Sequence, residues 1–227
     1  MFCPALRSLL ACAALLAAAT LGATADDKKG DDGFKPLFNG KDLTGWRTFL
    51  DPKLKDVKPD DLWSVKEGVL ICTGKANDKQ VNGYFHTEKS YKNYVIRYDW
   101  LYKRPEKVED EEKFLGNSGL LIHIQGENKI WPKCIEVQGM NRDHGKIIPV
   151  SGAKATSEFD REALKKVRKP IGEWNTTEAT VQDGNIIAKV NGVKVDSGKG
   201  DLMEGQIGFQ SEGAEIHFRN IKIKELK

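Results

Sequence analysis

The feature that most constrains the fold of this chain is a series of short alternating segments separated by glycine turns. The Asp-Gly pair at 183–184 and the Asn-Gly pair at 191–192 each stand between two such segments. These pairs supply the positive φ that both central residues of a type I′ hairpin turn need. A Glu-Gly pair at 67–68 marks another hairpin, within residues 63–72. Alternation with period two indicates strands with one buried face. It predicts further strands at residues 94–102, 119–125, 134–140, 179–182, 186–190, 206–210 and 215–224.

About ten short strands in one domain favour an all-β sandwich or jelly roll. Glycine supplies 22 of the 227 residues, above the average of about 7%, which disfavours a helical bundle. Residues 157–169 carry apolar side chains at helical spacing before Pro170, so one short surface helix is predicted. The charge run at 103–113 is interpreted as a solvated loop. One domain is therefore expected in residues 34–227.

The first 25 residues have the pattern of a secretory signal peptide. A basic start is followed by an apolar run at 8–21 and by Ala23-Thr24-Ala25, which predicts cleavage after Ala25 and a secreted or periplasmic protein. A run of about 14 apolar residues is shorter than the ~20 that span a bilayer, so a removable signal is favoured over a membrane span. Lipid attachment at Cys12 would leave too short an apolar run before it. Residues 26–33 are charged and glycine-broken, and are predicted to form a flexible tether.

Charge and cysteine content restrict the partners. Lys+Arg total 36 and Asp+Glu 33, a net charge of +3, and these charges are spread along the chain, which argues against nucleic-acid binding. There is no glycine-rich phosphate loop or nucleophile elbow, and the histidines lack metal-ligand spacing, so neither cofactor nor metal is predicted. After signal cleavage Cys72 and Cys134 remain. A bridge between them and two free thiols both stay open, with a slight preference for free thiols, and the sequence does not define an oligomeric state.

Alternation also separates the two faces of each strand. In residues 120–125, Leu120, Ile122 and Ile124 share one face, and Leu121, His123 and Gln125 share the other. The strands at 134–140 and 206–210 show the same division. If these three strands are neighbours, their second faces form one polar groove, and the alternative is an ordinary solvated outer face. The polar side chains on that face are His123, Gln125, Glu136, Gln138, Gln210 and Glu212.

Seven motifs in order resemble the 3-keto-disaccharide hydrolase domain family. They are Phe38 to Trp46 (FNGKDLTGW), Trp63 to Leu70, Gly116 to Gly119 (GNSG), Ile135 to Gln138 (IEVQ), Gly172 to Asn175 (GEWN), Val190 to Gly192 and Phe218 to Ile221. The resemblance implies a concanavalin A-like jelly roll of two antiparallel sheets, and exported bacterial proteins that act on sugars oxidised at C3. The chain departs from the common pattern at Leu101 and His123, where Arg is frequent, at Asn141, where Asp is frequent, and at Ser211-Glu212-Gly213, where a His-Gly pair is common.

The chemistry of such sugars suggests roles for the groove residues. Glu136 is followed on its face by Gln138 and Met140, so double displacement with both carboxylates on that strand is not supported. A ketone at C3 instead acidifies the C2 hydrogen and lets the C1 substituent leave by elimination. Glu136 is the leading acid or base, His123 the second proton carrier, and Glu212 a third candidate. The candidate substrate-binding residues are Asp99, Trp100, Asn117, Ser118, Gln125, Gln138, His144, Trp174 and Gln210.

Two hypotheses from different classes follow. The first is an exported carbohydrate-active enzyme that cleaves glycosidic bonds of 3-keto-glycosides or 3-keto-disaccharides, by elimination and hydration or by hydrolysis. Its partner would be an oligosaccharide or glycoside substrate. The alternative is a non-catalytic carbohydrate-binding or cell-surface interaction module, because jelly rolls host lectins as readily as enzymes.

Overall fold

A computed structural model describes residues 33–227. The predicted signal peptide at 1–25 and all but the last residue of the predicted tether at 26–33 lie outside the described residues. In chain order the strands are β1 (Lys35–Pro36), β2 (Trp46–Leu50), β3 (Trp63–Lys66), β4 (Val69–Cys72), β5 (Lys75–Ala76), β6 (Lys79–Gln80), β7 (Asn82–Tyr91), β8 (Tyr94–Tyr102), β9 (Gly119–Gln125), β10 (Lys133–Gln138), β11 (Ile147–Val150), β12 (Asn175–Gln182), β13 (Asn185–Val190), β14 (Val193–Lys199), β15 (Gly205–Glu212) and β16 (Ile216–Glu225). The helix α1 is Arg161–Val167, and 3₁₀ turns lie at Pro59–Asp61, Glu111–Lys113 and Asn141–Asp143.

Two antiparallel sheets form the sandwich. The eight-stranded sheet has the order β14-β13-β12-β8-β16-β4-β3, with β1 paired to β16. The six-stranded sheet has the order β11-β10-β9-β15-β7-β2, and β5 and β6 form a small separate hairpin. Most neighbours in each sheet are not consecutive in sequence, as a jelly roll requires. The predicted all-β, concanavalin A-like sandwich with one short helix is confirmed.

An aromatic layer joins the two sheets. Phe85 and Phe209 of the six-stranded sheet stack with ring centroids 5.3 Å apart. Tyr98 and Phe218 of the eight-stranded sheet each approach Phe209 to 5.0 Å. All four side chains are almost fully buried, and aromatic pairs of this kind contribute about 0.5 to 1.5 kcal/mol each beyond their area burial. This aromatic layer therefore holds the six-stranded sheet in position against the eight-stranded sheet. The groove residues lie on the outer face of the six-stranded sheet.

Glycine turns place the hairpins where the sequence predicted them. At the β3–β4 turn Glu67 and Gly68 have φ of 52° and 79°, and Asn191 and Gly192 at the β13–β14 turn have 49° and 84°. These are the positive values of a type I′ turn. Strand β8 has the predicted bounds.

A β-bulge at His123 interrupts the alternation of β9. His123 has a φ of 55°, and the pairing of β9 shifts register against both β10 and β15 at this point. An inserted residue turns every later side chain to the other face. Ile124 consequently packs with Leu121 on the outer face, so its predicted place between the sheets is wrong. Leu120 and Ile122, which precede the bulge, do lie in the core between the sheets.

The segment before α1 lies along the outer edge of β14. The N–H groups of Thr156, Glu158 and Asp160 donate to alternate backbone carbonyls of β14 at 2.8 to 2.9 Å. The buried carboxylate of Asp196 accepts from the N–H groups of Ile147 and Glu158 at 2.7 and 2.8 Å. Because this segment is extended, the helix begins only after Asp160 and is shorter than the predicted 157–169.

Both cysteines of the described part are free thiols. Cys72 and Cys134 are buried and unpaired. Cys72 lies in the core between the sheets, whereas Cys134 lies in the cluster on the outer face of the six-stranded sheet. Burial raises the pKa of each thiol, which lowers its reactivity because the thiolate is the nucleophile.

Thiol labelling without reductant should therefore depend on folding. We expect iodoacetamide to leave Cys72 and Cys134 unmodified in the native protein and to modify both in denaturant, as measured by peptide mapping with mass spectrometry. Recovery of a Cys72–Cys134 linked peptide from the denatured sample would contradict this result.

Candidate active site

The candidate site lies on the outer face of the six-stranded sheet. Strands β10, β9 and β15 are neighbours there, as the groove hypothesis assumed. Glu136 pairs in register with Leu121 on β9 and with Ile148 on β11. Leu121 pairs with Gly208 on β15, and Gly208 pairs with His86 on β7. Side chains at paired positions point to the same face, so this row runs across five strands of the outer face.

Glu136 is a buried carboxyl group between apolar neighbours. Its side chain belongs to a residue only 6% exposed, and its Oε1 has no hydrogen-bond partner. Burial raises the pKa of Glu136 to about 8, the nearby Glu212 charge raises it further, and the Gln210 amide opposes the shift. The ionised form of a carboxyl group is disfavoured in such surroundings. At neutral pH Glu136 is therefore mostly protonated.

Gly119 provides the space in which Glu136 and Gln210 meet. A Cβ atom at Gly119 would lie 2.5 Å from Gln210 Oε1 and still closer to Glu136 Oε1. Both distances are shorter than real carbon contacts allow, so the absent side chain leaves the room that these two groups occupy. Gln210 Oε1, like Glu136 Oε1, is buried without a partner. Two buried side-chain oxygen atoms thus face the same small gap.

Glu212 and Asn117 form the more exposed rim of the site. Glu212 is only partly buried, and Asn117 forms an isolated bridge with it between β15 and the start of β9. Burial raises the pKa of Glu212, and the Asn117 side chain opposes the shift by hydrogen bonding. The site therefore holds two carboxyl groups in different environments, the arrangement that assigns separate acid and base roles to two residues.

Backbone-directed hydrogen bonds hold the adjacent residues in place. Ser118 donates from Oγ to the Gln210 carbonyl at 2.8 Å, which fastens β9 to β15. Gln138 Oε1 accepts from the Met140 N–H at 2.8 Å. Within residues 33–227 the Gln138 amide nitrogen makes no hydrogen bond that would hold it away from a ligand, whereas the Ser118 hydroxyl group already donates its proton to the Gln210 carbonyl. The structure thus brings together six of the residues singled out from sequence, namely Asn117, Ser118, Glu136, Gln138, Gln210 and Glu212.

Two groove residues lie elsewhere because of the bulge. His123 turns inward against Tyr94, with ring centroids 5.8 Å apart, and its two nitrogens lie 2.9 and 3.0 Å from the Leu202 and Lys92 carbonyls. Its predicted place beside Glu136 is wrong. Gln125 lies past the bulge at the opposite end of β9, roughly 20 Å from Gly119 at about 3.3 Å per residue, and donates to the Glu204 carbonyl.

Trp100 and His144 are interior residues. Their rings stack at 3.9 Å with an interplanar angle of 10°, and both residues are about 1% exposed. Trp100 Nε1 and His144 Nε2 both bond to Thr177 Oγ1, at 2.9 and 2.8 Å. Burial lowers the pKa of His144 to about 3. The prediction that these two side chains contact substrate is wrong, since both rings are buried in the interior and do not reach the Glu136 face.

Asp99 and Trp174 lie on the outer face of the eight-stranded sheet. Asp99 accepts from Thr176 Oγ1 at 2.7 Å, from Arg219 Nε at 3.2 Å and from Asn220 Nδ2 at 2.9 Å. The Arg219 guanidinium covers the Trp174 ring at 4.1 Å from its centroid. These two candidate substrate-binding residues therefore do not lie with Glu136, because the whole core separates the two outer faces.

His86 is a site residue that the sequence reasoning missed. It is 2% exposed on the outer face of β7, its ring centroid is 5.6 Å from that of Tyr84, and its Nε2 has no partner. Five consecutive residues of β7 are buried, so burial does not alternate along this strand and a period of two could not identify His86.

Within residues 33–227, no group of three or more His, Cys, Asp or Glu side chains is arranged to hold a metal ion.

The protein is a two-sheet antiparallel jelly roll that carries a buried acid, a second carboxyl group and several side-chain amides on one outer face. The chain belongs to the family of 3-keto-α-glucoside-1,2-lyase-like domains, whose sequence profile matches residues 33–224. The resemblance found from the seven motifs is thereby confirmed.

Known proteins agree with this assignment. A 3-keto-disaccharide hydrolase of Bacteroides thetaiotaomicron is 23% identical over 247 residues, which cover 86% of this chain and 79% of that protein. A crystal structure from Parabacteroides distasonis, assigned provisionally as a glycosyl hydrolase, has a TM-score of 0.60 at 24% identity and covers 86% of this chain and 95% of its own. The carbohydrate-binding module CBM66 of Bacillus subtilis has a TM-score of 0.54 at 13% identity, covering 81% of this chain and 98% of its own. These two structures share the fold.

In the described part of the chain, no helix is long and apolar enough to cross a membrane.

Proposed function

We propose that this protein is an exported enzyme that cleaves the glycosidic bond of 3-keto-glycosides by elimination across C1 and C2, followed by addition of water. One observation carries the proposal: the buried carboxyl group of Glu136, with its Oε1 unpartnered among the described residues, lies beside a second carboxyl group, Glu212, and burial raises the pKa of Glu136 to about 8. The printed names of the family and of its curated relative support the same substrate class. Export rests on the signal-like residues 1–25.

The elimination uses each carboxyl group once. The Glu212 carboxylate removes the proton from C2, and the electron pair passes to the C3 oxygen as an enolate. When the enolate collapses, C1 and C2 become doubly bonded, the C1–O bond breaks, and the leaving oxygen takes the proton of Glu136. Water then adds across the double bond, with its hydroxyl at C1 and its proton at C2. The proton held by Glu212 returns to Glu136 through solvent at the rim.

Protonation states fit this division of roles. Glu136 holds a proton at neutral pH because of its burial, as a general acid must. Burial raises the pKa of Glu212 as well, but Glu212 is the less buried of the two, and the hydrogen bond from Asn117 opposes the shift, so Glu212 is the group assigned as the base. Amide groups of Asn117, Gln138 and Gln210 surround the pair and are suited to bind the enolate oxygen and sugar hydroxyls.

The proposal predicts a strict requirement for the C3 ketone. We expect the purified full chain to release nitrophenolate from p-nitrophenyl 3-keto-α-glucoside and none from p-nitrophenyl α-glucoside, since only the ketone acidifies C2. Deuterium at C2 should slow release by a primary isotope effect. Absorbance of nitrophenolate and of the intermediate enone would measure both steps.

Other outcomes would separate the alternatives. Release without a C2 isotope effect would point to direct hydrolysis at C1. Binding of sugars without turnover of any keto-sugar would favour the carbohydrate-binding or cell-surface interaction module.

A further inference from the structure

Burial divides the outer face of the six-stranded sheet into a covered part and an open part. Leu121 is fully buried and Ile124 is 4% exposed, so a sugar cannot lie over these two residues. Asn117 and Glu212, by contrast, are partly exposed. A substrate therefore approaches the gap at Gly119 from the rim that Asn117 and Glu212 form.

The two carboxyl groups of the proposed reaction set the direction of the sugar ring. Glu136 on β10 gives its proton to the oxygen on C1, and Glu212 on β15 takes the proton from C2. C3 follows C2 in the ring, so it lies further from β10 than C1 does. The next strand beyond β15 in this direction is β7. The C3 oxygen, on which the enolate charge develops, therefore lies toward β7.

Asn82 is the β7 residue at this position. It pairs in register with Glu212, and paired side chains share one face with their Cβ atoms about 4.5 to 5.5 Å apart. The Asn117 side chain bonds to Glu212, and that of Gln210 bonds to Glu136. The Asn82 amide nitrogen makes no hydrogen bond with any part of the chain that the structure describes. Asn82 Nδ2 is thus a donor that remains available beside the proposed base.

Neighbouring residues hold Asn82 in place. Gln80 Nε2 donates to Asn82 Oδ1 at 2.9 Å, which turns the Asn82 amide nitrogen away from Gln80. Val81 between them is 1% exposed, and its carbonyl accepts from the Ser211 hydroxyl at 3.0 Å. Gly213 leaves room for Gln80, because a Cβ atom there would lie 2.7 Å from Gln80 Oε1. A donor that is fixed before the reaction needs no reorganisation when charge develops.

We propose that Asn82 Nδ2 donates a hydrogen bond to the C3 oxygen of the keto-sugar and stabilises the enolate, with Gln80 as its positioning residue. This inference rests on the proposed function, because the roles of Glu136 and Glu212 assign the position of C3. When Glu212 removes the C2 proton, the electron pair moves onto the C3 oxygen and strengthens the bond from Asn82, whose own protons stay on nitrogen. An interaction that strengthens in the transition state acts mainly on kcat.

Hydrogen exchange at C2 tests this role without cleavage of a bond at C1. The sugar 1-deoxy-3-ketoglucopyranose has the C3 ketone but no leaving group, so exchange of its C2 hydrogen for deuterium in D₂O needs only the base and the enolate donor. Exchange would be followed by NMR. We expect Asn82→Ala to slow it by about 10²-fold, the effect of one lost donor, and Gln80→Ala by about 3- to 10-fold, the effect of one hydrogen bond. Asn185→Ala changes an exposed asparagine of the other sheet and is the matched control, with exchange at the wild-type rate.

Exchange by Asn82→Ala at the rate of the wild type and of Asn185→Ala would overturn the role of Asn82 and leave the proposed function standing. If the wild type does not exchange C2, the proposed elimination fails, and calorimetric binding of 1-deoxy-3-ketoglucopyranose then tests the Asn82 contact separately. Weaker binding by Asn82→Ala than by the wild type and Asn185→Ala would support the contact. Equal binding by all three proteins, or no binding by any, would overturn it.

Discussion

Replacement of Glu136 by glutamine is expected to lower the turnover of 3-keto-glycosides by about 10²- to 10⁴-fold, the usual contribution of a general acid or base. Glutamine keeps the size and hydrogen-bonding capacity of the side chain but cannot transfer a proton to the leaving oxygen. The effect should appear in kcat, measured by aglycone release, and KM should change much less.

Glu178→Gln is the matched control for this substitution. Glu178 pairs with Arg97 and Lys189 on the outer face of the other sheet, at 2.7 and 3.1 Å. The same chemical change there should leave turnover within about twofold of the wild type. Unchanged turnover in Glu136→Gln would remove Glu136 from the mechanism and leave Glu212 as the leading proton carrier.

Glu136→Gln should also reduce the loss of stability that the wild type shows as the pH rises. The pKa of Glu136 is raised from its ordinary 4.5 to about 8, so between these values the folded protein holds a proton that the unfolded chain has released. The free energy of unfolding therefore falls as pH rises through this window. The upper limit is about 5 kcal/mol, since one pKa unit corresponds to about 1.4 kcal/mol. Denaturant titrations at pH 5 and pH 9 should show a smaller decline for Glu136→Gln than for the wild type. Parallel declines would contradict the raised pKa.

Gly119→Ala should damage the site by filling the gap between Glu136 and Gln210. The added methyl group must displace one or both side chains, and a misplacement of about 1 Å near the reacting atoms can cost about 10²-fold in rate. We expect kcat/KM to fall by about that factor. Overpacking should also cost about 1 to 3 kcal/mol of stability, measured by denaturant unfolding.

Ile96→Val separates the two effects of Gly119→Ala. Ile96 lies in the core on β8, away from the site, and this substitution costs about 0.5 to 1.5 kcal/mol. It should lower stability without a matching loss of activity under conditions where both variants are folded. If Gly119→Ala lost activity only in proportion to its unfolded fraction, the gap would have no catalytic role.

Strand alternation was sufficient to predict much of the fold and the centre of the site. The glycine pairs at 67–68 and 191–192 located hairpins because few other residues adopt positive φ. Alternation in β10 and β15 placed Glu136, Gln210 and Glu212 on one face, and the structure brings all three together. Turn geometry and strand alternation depend on residues that are close in sequence, so these features could be predicted from the sequence alone.

Features set by distant pairing could not be predicted in this way. The bulge at His123 adds one residue to β9 only with respect to its partner strands, so the pattern within β9 does not show it. His86 lies on a strand buried over five consecutive residues, where period two disappears. Trp174 lies in one of the matching motifs, but motif order does not specify which of the two sheets a strand joins, so it did not show that Trp174 and Asp99 lie on the other sheet.

The extended segment along β14 has a consequence for the behaviour of the protein at high concentration. An open sheet edge offers unpaired N–H and C=O groups to another chain, and is a common start of aggregation. The N–H groups of Thr156, Glu158 and Asp160 occupy three carbonyl groups of β14 from within the same chain, and Pro149 on the edge strand β11 cannot donate to an added strand. Each sheet therefore has one edge that resists recruitment of further copies, which protects this two-sheet sandwich from growing into a fibre at these edges.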